Sequence, residues 1–117
     1  MLTITIGEKF TGELKLRDVD GDPFDMSPYD KFKVCIPTGG GGGLVISETQ
    51  NANGSVLSKI TGKTYQGLNI VIGKDDSKGL TEYDRTYIDV ELDNAGGTIT
   101  KRQRIDNAVV IDGSCLS

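Results

Sequence analysis

Residues 86–105, TYIDVELDNAGGTITKRQRI, read as a β-hairpin and set the fold class. Thr86, Ile88, Val90 and Leu92 alternate with Tyr87, Asp89 and Glu91, the period-two code of a strand with one wet face. Asp93, Asn94, Ala95, Gly96 and Gly97 supply the reversal, because Asn and Gly tolerate positive φ. The return strand, Ile99 to Ile105, carries Arg102 and Arg104 on one face and Lys101 on the other, with Asp84, Asp89 and Glu91 as expected partners across the hairpin. Asp106 and Asn107 bend or bulge the ribbon, and Val109 to Ile111 closes it.

The same code recurs upstream. Leu2, Ile4 and Ile6 alternate with Thr3 and Thr5 until Gly7 interrupts, and Phe10, Gly12, Leu14 and Leu16 alternate with Thr11, Glu13, Lys15 and Arg17. The segment 22–30 holds Pro23 and Pro28 and reads as a short edge strand or an irregular crossing anchored by Phe24, Met26 and Tyr29. Phe32, Val34 and Ile36 face inward on the next strand, which Pro37 ends. Glycines 39–43 follow as a flexible surface excursion that is entropically costly to fix. Residues 44–47 and 56–60 are short strands, and Leu68, Ile70 and Ile72 mark one face of another. Residues 74–79 make a charged turn or a single helical turn, and the tail 112–117 is expected to be loose.

Seven or eight short strands without a sustained helical period imply an all-β domain of two packed antiparallel sheets, with a small β-barrel as the alternative. The length of 117 residues suits one domain, spanning 1–117. With only seven aromatic residues, the core is expected to be built from Ile, Val and Leu. A formal net charge of −4 disfavours nucleic acid as a partner, and the absence of His removes the commonest acid–base group and metal ligand. No run reaches membrane-spanning length and no secretory signal opens the chain, so a protein without membrane insertion is expected. Cys35 and Cys115 lack zinc spacing and are expected as free thiols.

Several motifs approach chemistry and stop short. Asp18, Asp20 and Asp22 offer alternating carboxylates for a weak calcium site, but an EF-hand needs Gly and Glu where Pro23 and Tyr29 stand, so an Asp-rich turn is the preferred reading. Gly62, Lys63 and Thr64 copy the end of a phosphate-binding loop, yet Ser58 replaces its first glycine and no helix follows. Neither Cys nor Ser has a His partner, and Asp89 with Glu91 reads as ordinary strand-face charge, so no enzyme activity, cofactor or metal is expected. Asn53, Gly54 and Ser55 spell a glycosylation acceptor without a secretory context.

From Gly7 to Asp25 the chain runs GEKFTGELKLRDVDGDPFD, a strand entering Asp20, Gly21, Asp22 and Pro23, with Phe24, Met26 and Tyr29 beyond. This order resembles the N-terminal β-sandwich of upper baseplate proteins and related small virion domains of tailed bacteriophages. The strand through Lys31 to Ile36 matches the one those domains place next. Gly79, Leu80 and Thr81 ahead of the strand bearing Asp89 and Glu91 are similar to their Gly-Leu-Thr turn and Tyr-x-Tyr-Asp-x-Glu strand. The chain departs from them at glycines 39–43 and in stopping at Ser117.

The resemblance implies an immunoglobulin-like sandwich made in the bacterial host cytoplasm and built into the virion as a baseplate, tail, neck or capsid-decorating part. Its expected partners are other virion proteins, in a homo-oligomer or symmetric assembly. Unpaired edges are expected at the Leu2 to Ile6 and Leu68 to Ile72 strands, where guarding charges are thin. The interface candidates are Leu2, Ile4, Ile6, Gly39, Gly41 and Gly43. A carbohydrate or cell-surface binding module using Tyr65, Tyr83 and Tyr87 is a second reading, and an accessory or inhibitor protein is a third.

Overall fold

The computed structural model describes residues 1–17, 24–38, 42–97 and 100–113, the side chain of Asp84 excepted. Asp18, Asp20, Asp22, Gly39, Gly41 and Cys115, together with the whole Asp-Gly-x-Pro turn and most of the terminal tail, lie outside the described residues. Among the described residues eight strands and one helical turn follow in order: β1 Leu2–Thr5, β2 Phe10–Lys15, β3 Lys31–Pro37, β4 Gly43–Ser47, β5 Val56–Lys59, β6 Gly67–Ile72, α1 Lys74–Ser77, β7 Tyr83–Asp93 and β8 Thr100–Asp112. They form a five-stranded sheet, β1-β8-β7-β3-β4, facing a three-stranded sheet, β2-β6-β5. Every pairing is antiparallel except β1 with β8, which run parallel. This is a β-sandwich: β2-β6-β5 makes one sheet, β8-β7-β3 the body of the other, and the chain crosses between the sheets from β2 to β3, from β4 to β5 and from β6 to β7.

Period-two alternation aims the core as the sequence requires. Phe32, Val34 and Ile36 of β3, Ile88, Val90 and Leu92 of β7, and Leu68, Ile70 and Ile72 of β6 are all buried and belong to one cluster. Phe24, Met26 and Tyr29 anchor the crossing into the same cluster, with the Phe24 and Tyr29 rings stacked at 5.8 Å. That crossing is further tied down where the Met26 amide donates to Gln66 Oε1 at 2.6 Å.

One expectation is corrected and another holds. The Leu68 to Ile72 strand is not an edge: β6 is the centre of its sheet, flanked by β2 and β5, so its lack of charge reflects pairing on both sides. The long hairpin is bulged as expected, with register shifts between Tyr83 and Ile88 and a left-handed Asn107 at φ 55°. Asn is among the few side chains that adopt this conformation at modest cost.

Candidate interaction surface

The outer face of the five-stranded sheet is a charged lattice set by register. Asp89 lies opposite both Cys35 and Arg104, while Glu91 lies opposite both Lys33 and Arg102. Arg104 donates through Nε and Nη2 to the two Asp89 oxygens at 2.8 and 3.1 Å, and its guanidinium carbon sits 3.8 Å from the Tyr87 ring centre. Arg102 Nε donates to Glu91 at 3.1 Å. The hydrogen bond from Arg104 holds the Asp89 carboxyl below its ordinary range. Lys101 leaves this face, as the pleat requires, and its ammonium lies 5.2 Å from the Phe24 ring centre. The half-buried Cys35 thiol is pushed up by burial and by Asp89, which disfavours the thiolate.

The lattice stops at β4. This strand is the outer edge of the sheet and reads Gly43, Leu44, Val45, Ile46 and Ser47, with no charge, proline or bulge. Its hydrogen-bond phase follows from the neighbouring turn. The Thr38 amide donates to the Gly42 carbonyl at 3.0 Å, and Pro37, opposite Gly43, has no amide to give. Alternation along an antiparallel ladder therefore turns the amides and carbonyls of Leu44 and Ile46 toward β3 and those of Gly43, Val45 and Ser47 outward. Val45 is 55% exposed, one of three large hydrophobic side chains at the surface among the described residues.

The other edges differ. On β2 the Leu16 amide bonds to the Gln66 carbonyl, so Thr11, Glu13 and Lys15 face outward and two of the three are charged. On β5 the Ile60 amide bonds to Gly67, leaving Leu57 and Lys59 outward, and the Lys59 carbonyl already accepts from Asn69 at 3.3 Å. On β1 the Ile6 amide bonds to Asp112, so Thr3 and Thr5 face outward, and the Thr5 carbonyl accepts from Glu8.

A second polar site lies at the end of the sandwich bearing α1. Asp76 accepts from Asn51 Nδ2 and Asn53 Nδ2, each at 2.8 Å, and from the Ser55 hydroxyl. Ser55 is wholly buried and its oxygen accepts from the Gly73 amide at 2.8 Å. Asn51 Oδ1 accepts from the Asn53 and Ser55 amides, closing the turn on itself. The Ser55 bond is the main reason the Asp76 carboxyl lies below its ordinary range, with burial opposing it. Beside it, buried Ser77 accepts from the Gly7 amide at 3.0 Å. These contacts make a clasp joining the β4–β5 and β1–β2 connections to α1. The sequence reads 74–79 as a charged turn or a single helical turn, but nothing local links it to residues 51–55.

Among the interface candidates, the Leu2 and Ile4 side chains point into the core, Ile6 packs against it, and Gly43 opens the exposed β4 edge. The tyrosines do not share a platform. Tyr65 belongs to the three-stranded side, where its hydroxyl donates to Glu13 at 2.8 Å and Lys15 lies over its ring, while Tyr83 and Tyr87 are on β7. Gly62, of the phosphate-loop-like Gly-Lys-Thr, is a left-handed glycine in the turn before β6. No helix is long and apolar enough to cross a membrane among the described residues. No protein-family model, curated protein or solved structure matches the chain.

Proposed function

We propose that this chain is a non-catalytic assembly module of a tailed-phage or prophage virion, docking on neighbouring proteins through a strand edge. The observation that carries the docking part is β4, an uncharged edge with three residues of outward main chain and an exposed Val45. Soluble proteins commonly blunt such edges, since an unpaired ladder is a template for another strand. The virion part rests on the strand and turn order between Gly7 and Asp25 and between Gly79 and Leu92, which resembles phage sandwich domains. The polar groups of the Asp76 clasp are engaged with one another, and Asp89 is engaged with Arg104, so both acids have a structural use that needs no substrate.

Tailed particles induced from the strain that encodes the chain, purified on a density gradient and analysed by mass spectrometry, test this reading. The chain should be present at a stoichiometry repeated per particle. Its absence from intact particles, with the chain found only in the unassembled fraction, would remove the virion assignment.

A further inference from the structure

We infer that β4 is the seam of a two-fold dimer, in which a second copy of this chain pairs antiparallel with it about Val45. The inference rests on the assembly reading above and names the partner. An antiparallel pairing centred on Val45 sets Val45 against Val45 of the second copy and Gly43 against its Ser47. These are the residues whose amides and carbonyls point outward, so three facing pairs exchange about six hydrogen bonds without moving the β3–β4 ladder. Leu44 then lies opposite Ile46 of the second copy, in the positions where side chains approach most closely. Leu44 is only partly buried in the single chain and packs against the core, so the pairing extends the core across the seam.

Charge favours β4 over the other edges. The same two-fold operation on β2, centred on Glu13, would oppose two carboxylates. On β5 it would bring Lys59 against the outward Leu57, and β1 has one of its outward carbonyls already occupied. Beside β4, the charge on β3 that lies in register with it is Lys33, opposite Ser47, while Lys31 lies beyond the paired residues. Its counterpart in the second copy is three strand spacings away and displaced along the strands, roughly 20 Å in all. That exceeds the Debye length of about 8 Å at physiological salt. Five residues of strand bury less than the roughly 1,000 Å² of a stable interface, so the pair is weak in dilute solution and fills where copies are concentrated in an array.

Sedimentation velocity of the full 117-residue chain from micromolar to millimolar concentration reads the pairing directly. A reversible dimer is expected. Val45→Thr should preserve it, whereas Val45→Lys, which opposes two ammonium groups, should raise its dissociation constant at least about tenfold. Val45→Pro deletes an outward amide while sparing the β3–β4 bonds, and should lose the dimer with the monomer still folded by circular dichroism. In a Cys35→Ser, Cys115→Ser background, Val45→Cys should cross-link on mild oxidation, because the facing Cα atoms would lie about 5.5 Å apart. Ser47→Cys, whose two copies lie far from each other in this register, should not.

A chain monomeric at every concentration, or a dimer insensitive to both Val45→Lys and Val45→Pro, would overturn the inference. The two proposals fail separately. If the chain is monomeric yet Val45→Lys blocks incorporation into particles, self-pairing is wrong and β4 serves a different protein. If the chain dimerises through Val45 but is absent from particles, the seam stands and the virion assignment fails.

Discussion

Two acids, Asp76 and Asp89, each sit in a network of side-chain hydrogen bonds, and the networks have different uses. Asp76 gathers Asn51, Asn53 and the buried Ser55, whose donors lie 21 to 25 residues away in the chain. Asp89 meets Arg104 across one hairpin on an exposed sheet face. Water can replace Arg104 when that pair breaks. It has no ready access to Ser55, so loss of Asp76 leaves a buried hydroxyl to find a new acceptor. Similar partners and distances therefore carry unequal weight, and burial of the donor decides which one the fold depends on.

The largest expected effect tests that contrast at its strong end. Asp76→Ala should lower the unfolding free energy by about 3 kcal/mol, since it strands the buried Ser55 hydroxyl and also removes a charged acceptor from the exposed Asn51 and Asn53 amides. The check is urea denaturation, with the midpoint falling at unchanged slope. Ser55→Ala should cost about 1–3 kcal/mol, because the Gly73 amide loses its acceptor and Asp76 loses its one buried donor. If Ser55→Ala were neutral, burial would not be what distinguishes the two networks.

Acid titration separates the networks further. The folded-state pKa of Asp76 lies below its ordinary value of 3.8, so its stabilising contribution is full above that value. The contribution disappears as pH falls below 3.8 and through the lowered folded-state pKa. Melting temperature followed downward from neutral pH should thus fall less steeply below about pH 4 in Asp76→Asn than in the native chain. Equal acid limbs would show that other carboxylates set the decline. The smallest effect is expected from Asp89→Asn, as a change in melting temperature that vanishes in 1 M salt, where the Debye length is about 3 Å.

Faces were legible in the sequence and neighbours were not. The alternation from Thr86 to Leu92 fixes which side chains of β7 enter the core, and the same holds for Phe32, Val34 and Ile36. It assigns Arg102 and Arg104 to one face and Lys101 to the other, as their contacts require. A period of two carries no information about which strand lies alongside, so the Leu68 to Ile72 strand resembled an unguarded edge when it is a centre. For the same reason β4, short and next to the glycine run, gave little sign of being the exposed edge. The clasp escaped because polar turns advertise only local bonds, whereas Ser55 and Asp76 meet through the packing of two sheets.

The parallel pairing of β1 with β8 also has a consequence in time. Among the described strands β1 is synthesised before the other seven, yet its partner in the five-stranded sheet, β8, is synthesised after them. All three strands of the β2-β6-β5 sheet precede β8 in the chain, so Leu2 and Ile4 have no β8 to pair with while those strands are being made. A contact closing nearly the whole chain forms slowly, because the loop entropy is lost before the contact rewards it. The nascent chain is therefore exposed to chaperones, proteases and misplaced strands in the interval between the synthesis of β1 and that of β8.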